Sequence, residues 1–167
     1  ASLGMNESIE ETNEVQPLVG PPVPDHIDVG QIFSGEDHSL HASIQELVSN
    51  GELEEAENHL QSALEKSPDS ENVYVLASLV AMADQRWEDA VTRLTKLREI
   101  QGENAPAMTH LMMIRALRCL EKHIEAMEAA MVAVRTHYDN QEIVEEAADV
   151  AEYLNEWESA VLALDVL

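Results

Sequence analysis

Apolar side chains recur along most of this chain at steps of three and four, the spacing of one face of a helix. Leu40, Ile44, Leu47 and Val48 mark a first stripe, and Leu53, Ala56, Leu60, Ala63 and Leu64 a second. Asn50-Gly51 between them accepts positive φ and makes a turn, while Ser67-Pro68 stops the second helix because proline cannot extend it. Asp69 or Ser70 caps the next helix, predicted over about 71–83 and carrying Val73, Tyr74, Val75, Leu76, Leu79, Val80 and Met82. Asp84-Gln85-Arg86 then turns into a helix with Trp87, Ala90, Leu94 and Leu97 on its inner face, ended by Gly102. Pro106 suits the first turn of a third pair, with Met108, Leu111, Met112, Ile114, Leu117 and Leu120 followed by Ile124, Met127, Ala130, Met131 and Val134. Ile143, Ala147, Val150, Ala151 and Leu154, then Trp157, Ala160, Val161 and Leu164, predict a fourth pair closing on itself.

The pairs repeat one another. Leu53-Glu54-Glu55-Ala56, Trp87-Glu88-Asp89-Ala90-Val91, His123-Ile124-Glu125-Ala126-Met127 and Trp157-Glu158-Ser159-Ala160-Val161 are four copies of one stretch. Their alanines at 56, 90, 126 and 160 are 34, 36 and 34 residues apart, and Leu60, Leu94, Ala130 and Leu164 follow four places later. A small residue recurs because two helices cross there at close range. A supersecondary unit at this period predicts an all-α helical solenoid over 37–167. The helical pattern still runs at Leu167, where a stack needs a polar cap, so either the natural chain is expected to continue or something else covers the open end.

Residues 1–36 are different material. Pro17, Pro21, Pro22 and Pro24 fix extended backbone and Gly20, Gly30 and Gly35 break helices, which predicts an extended N-terminal arm. Ala1 to Gly4, ahead of Met5, read as a remnant added before the natural start. The arm still holds Leu18, Val19, Val23, Ile27, Val29, Ile32 and Phe33, too many apolar residues for a freely solvated leader. It is expected to dock on the solenoid or on a second protomer.

The chain carries 33 acidic against 9 basic side chains, a formal net charge of -24. Such a surface repels phosphate backbones and anionic headgroups, so neither nucleic acid nor a membrane surface is an expected partner. One cysteine, Cys119, excludes an intrachain disulfide framework, and a cytoplasmic location is the easier reading. Asp37, His38 and His41, and Asp25, His26 and Asp28, have metal-compatible spacing without a full ligand set. Cys119 has no evident base beside it, and no glycine-rich phosphate loop or nucleophile elbow occurs. The sequence therefore implies neither a cofactor nor an enzyme.

These residues resemble the tetratricopeptide repeat family over about 37–167. Its second-helix motif is matched by Ala56, Leu60, Ala63 and Pro68 in the first unit and Ala90, Leu94 and Leu97 in the second. Its first-helix motif is met by Tyr74, Ala77, Ser78 and Ala81, and by Val144, Ala147, Ala148 and Ala151; the third unit departs most, with His110, Met113, Ile114 and Leu117. The resemblance implies a right-handed superhelix whose first helices line a concave groove for a peptide or a partner helix. Carried over by position, the groove comprises His41, Gln45, Val48, Val75, Leu79, Met82, Leu111, Met112, Arg115, Arg118, Glu145, Asp149 and Glu152. The lysines and asparagines with which the family clamps acidic chaperone tails are missing from these places. Arg115 and Arg118 either grip a bound chain or pair with Glu145, Asp149 or Glu152. The methionines Met108, Met112, Met113, Met127 and Met131 are either an adaptable binding surface or core.

The resulting expectation is a non-enzymatic scaffold that holds a protein or peptide segment. Its alternatives are a small acidic chaperone for a secretion or assembly client, and the N-terminal interaction module of a longer protein. Self-association is expected through the arm or through the open C-terminal end.

Overall fold

The computed structural model describes the backbone of residues 36–165 and the side chains of residues 39–156. The expected arm, its docking, Asp37 and His38 therefore lie outside the described side chains, as do Trp157, Ala160 and Leu164. The described residues form helices α1 (Glu36–Ser49), α2 (Leu53–Lys66), α3 (Glu71–Ala83), α4 (Trp87–Gln101), α5 (Ala107–Cys119), α6 (His123–Thr136) and α7 (Gln141–Asp165), with a single 3-10 turn at Gly102–Asn104. Among them there is no strand, and no helix is long and apolar enough to cross a membrane.

The three hairpin turns share one construction. Gly51, Gln85 and Glu121 take φ of 77°, 57° and 59°, and the next amide reaches back into the preceding helix. Glu52 N–H donates to Leu47 O at 2.8 Å, Arg86 N–H to Ala81 O at 2.8 Å, and Lys122 N–H to Leu117 O at 2.9 Å. A left-handed residue followed by this long return bond ends a helix cleanly and satisfies its last carbonyls. The connections into α3 and α7 use side-chain caps instead. Ser70 Oγ accepts from Val73 N–H at 3.4 Å, and Asn140 Oδ1 accepts from Ile143 N–H at 3.1 Å. Pro106 sits one place ahead of α5, with ψ of 158°, rather than inside its first turn. The 3-10 turn before it absorbs the longer middle step of the repeat.

Packing follows the repeat. Ala56, Ala90 and Ala126 are each fully buried, where each pair's second helix presses on its neighbours. Leu60 and Leu94, four residues on, are equally closed. Two apolar clusters result. One joins Ile44, Ala56 and Leu60 to Val73, Leu76, Ala77 and Val80; the other runs from Ala81 and Met82 through α4, α5 and α6 to Ile143 and Val150. Helix α5 is the most enclosed element, with Thr109 to Ile114 and Ala116 to Arg118 all buried.

One expectation is overturned. The fourth pair is not a hairpin: α7 runs unbroken from Gln141 to Asp165, through the expected break between Leu154 and Trp157. Neither glycine nor proline falls between Gln141 and Asp165, and no helix-stopping residue forces a break. Among the described residues, the architecture is three helix pairs followed by one long helix.

Candidate functional site

The expected groove positions divide by depth. His41, Gln45 and Val48 on α1, and Val75 and Leu79 on α3, are half-buried, while Met82, Leu111 and Met112 are buried. Val75 and Leu79 pack against the cluster that contains Leu111 and Met112, so Met82, Leu111 and Met112 are core and the accessible apolar part is Val75 and Leu79. Glu145, Asp149 and Glu152 on α7 are exposed. Met113 is core as well, whereas Met108 and Met131 are exposed.

Arg115 and Arg118 do find acids, but not those expected. Arg115 Nε donates to Glu146 Oε1 at 3.0 Å, and Arg118 donates to the other oxygen of the same carboxylate. Glu142 stands 3.9 Å from Arg115 at the edge of the cluster. The side chains of Arg115, Arg118 and Glu146 keep 13%, 5% and 6% exposure, so this is a buried clamp between α5 and α7. Both carboxylate oxygens face a guanidinium, the arrangement in which a buried charge is tolerated. Sequence reasoning missed Glu146, although its register carried a signal. Leu76 and Met112 hold the same place in the two preceding units, and both are buried. An acid at a core position of a repeat requires a counter-ion nearby.

A second clamp ties the first two pairs together. Glu57 on α2 accepts from Arg86 at 2.9 Å and from both terminal nitrogens of Arg93, which also donates to Ala77 O at 2.7 Å. Burial alone would raise the Glu57 carboxyl, but hydrogen bonds from Arg93, Gln61 and Arg86 outweigh it and hold the pKa at about 2. Farther along, His110 is buried with its ring edge toward His137, centroids 5.4 Å apart. Burial, together with the charges of Arg98 and His137, lowers its pKa. His137 Nε2 lies 2.9 Å from Ala105 O, and the His123 ring rests on Tyr153 of α7 at 4.0 Å.

A cleft of about 530 Å³ opens between α1, α2 and the start of α3, lined by Leu40, His59, Lys66 and Val73 among others. None of the expected groove positions lines it. Among the described residues, no group of three or more His, Cys, Asp or Glu is placed to hold a metal.

Residues 47–112, from the end of α1 to the middle of α5, match the family model described as tetratricopeptide repeat. Over that stretch the chain is similar to tetratricopeptide repeats. Solved structures that share the fold include MamA MSR-1 C2, 20% identical over 78% of this chain and 76% of that one, with a TM-score of 0.61. A point mutant of MamA is 21% identical over 81% of this chain and 80% of its own, with a TM-score of 0.59. At such identity the likeness concerns the fold alone. No curated protein matches the sequence significantly. Tetratricopeptide repeats are generally a protein-interaction fold without catalytic activity, and they support a scaffold role for this chain.

Proposed function

We propose that the protein is a non-enzymatic scaffold whose repeats hold an extended segment of another protein across α1, α3, α5 and α7. The ligand that fits is apolar in its middle and basic at one end. The carrying observation is the order of side chains along that surface. Half-buried Val75 and Leu79 on α3 present its apolar part, backed from the core by Leu111 and Met112, and exposed Glu145, Asp149 and Glu152 stand on α7. Apolar contact would supply most of the affinity, and the acids would set direction and on-rate. His41, Gln45 and Val48 would extend the surface at the other end. Arg115 and Arg118 contribute chiefly by fixing its wall, because Glu146 already engages both.

Fluorescence polarisation with extended apolar-basic peptides, screened against their acidic counterparts, tests the proposal. The triple change of Glu145, Asp149 and Glu152 to Lys should weaken the basic peptides at least tenfold and flatten their salt dependence. Equal affinity for acidic and basic peptides, or no response to the triple change, overturns it.

A chaperone reading has one observation in its favour. Ile124 and Met131 on α6 are 67% and 49% exposed, where the earlier repeats carry Glu54 and Gln61, then Glu88 and Thr95. Suppression of a client's aggregation that is lost on changing both residues to Glu would favour that reading.

A further inference from the structure

The unbroken α7 leaves one helix face without the cover its counterparts have. Repeat register aligns Val144, Ala148 and Ala151 of α7 with Tyr74, Ser78 and Ala81 of α3 and with His110, Ile114 and Leu117 of α5. Ser78, Ala81, His110, Ile114 and Leu117 are buried, where α4 and α6 pack against their partners within each pair. In α7 all three are exposed, Val144 by 43%. The sequence that would cover them exists in the same chain. Residues 157–164 repeat the second-helix pattern, with Trp157, Ala160 and Leu164 in the places of Trp87, Ala90 and Leu94. The straight α7 carries that segment away from its own 144–151 face: its 25 residues span roughly 37 Å.

The turn position is equally informative. The left-handed residues at 51, 85 and 121 are spaced 34 and 36 apart, and a further step of 34 falls on Asn155. Asparagine enters the left-handed region more readily than most residues, yet here it lies inside a helix.

We propose that two copies of the chain pair through α7, antiparallel and centred near Asn155. Residues 157–165 of each copy then cover Val144, Ala148 and Ala151 of the other. A hairpin and two antiparallel continuous helices juxtapose the same residues about the same centre, so exchange keeps the contacts of a complete fourth repeat and changes only the connectivity. This is an isologous interface made by swapping one element, a low-cost route to a dimer. Electrostatics oppose it. Glu142, Glu145, Asp149, Glu152 and Glu156 are exposed on α7, and each chain brings a formal charge of -24. Pairing therefore strengthens with salt, which screens exposed like charges.

Light scattering on the full 167-residue chain tests the proposal, in about 0.05 M and about 0.5 M sodium chloride. A dimer whose population rises with salt is expected. Ala148→Glu and Ala151→Glu should each weaken it at least tenfold, with helical circular dichroism unchanged because both positions are exposed in the single chain. Asn155→Gly, which eases the turn, should shift the chain toward monomer. Asn155→Ala, which favours the continuous helix, should shift it toward dimer. A chain that stays monomeric at high salt, whether α7 folds back or stays open, overturns the proposal. So does a dimer indifferent either to the face substitutions or to both changes at Asn155.

Discussion

Glu146→Met separates two roles for a buried acid, as structural clamp and as incidental neighbour. The register supplies a substitution that fits: Leu76 and Met112 fill the same place in the earlier units, each buried, so methionine leaves little cavity. The cost comes from the partner left behind. Arg118, with 5% exposure, cannot reach water and loses its carboxylate. Stranding a buried charge in this way costs about 3–5 kcal/mol. Arg118→Met, the residue that Met82 provides one unit earlier, is milder. Glu146 would keep Arg115 at 3.0 Å, so the loss is about 1–3 kcal/mol. Combining the two changes replaces the innermost pair by apolar side chains of repeat-compatible shape. Arg115 retains Glu142 at 3.9 Å, so the double variant should lie within about 2 kcal/mol of the parent. Urea unfolding followed by circular dichroism, with unchanged slopes, gives the double-mutant cycle. A coupling of at least about 2 kcal/mol is expected. Additive losses, with the double variant worse than either single one, would refute the clamp.

Ala90→Leu should destabilise by about 1–3 kcal/mol by overfilling a closed helix crossing, and Leu94→Ala by about 2–5 kcal/mol through the cavity it opens; neutral urea melts for both would contradict the close packing at 0% exposure. The depressed Glu57 pKa contributes stability that is present above the ordinary value of 4.5 and is lost as pH falls toward about 2. Its upper bound of about 3 kcal/mol shrinks to roughly 1–2 kcal/mol for a side chain still 18% exposed, so Glu57→Gln should flatten the acid limb of a stability–pH curve by that amount. His110 is held below its ordinary 6.5, so protons favour the unfolded chain and stability should decline as pH drops below 6.5; His110→Phe should remove that part of the decline, and an unaltered profile would exclude His110 as its source.

The parts of the fold legible in the sequence were those that periodicity alone encodes. Ala56, Ala90 and Ala126 announced three close crossings, and each is fully closed. Asn50-Gly51 announced a turn because both residues tolerate positive φ, and Gly51 takes it; the expected turn at Asp84-Gln85-Arg86 forms with Gln85 at positive φ. The expected break between Leu154 and Trp157 did not form, because Asn155 there permits a turn without enforcing one. Local propensity there is weak, and the continuous helix competes on equal terms. At the candidate site, the sequence offered Arg115 and Arg118 either a bound chain or Glu145, Asp149 and Glu152 as partners, and the carboxylate they meet is that of Glu146. Glu145, Asp149 and Glu152 were chosen for sharing a helix face with the groove, whereas the counter-ion, Glu146, points into the core. Charge demand at a buried register position is a stronger guide than proximity along a face.

Helix α3 belongs to two apolar clusters at once, with Val73, Leu76, Ala77 and Val80 in one and Ala81 and Met82 in the other. The first pair therefore meets the rest of the molecule through α3 and the Glu57 clamp, a narrow joint. In a stack where each unit touches only its neighbours, an end unit can open without the rest. Amides of α1 and α2 should accordingly exchange with solvent far faster than those of α5, which is enclosed on nearly every side. A ligand lying across α1, α3 and α5 would span that joint, and its binding free energy would be spent partly on holding the first pair closed. Affinity and local folding would then be one measurement: protection of α1–α2 amides would report occupancy, and mutations that loosen the joint would weaken binding without touching the ligand.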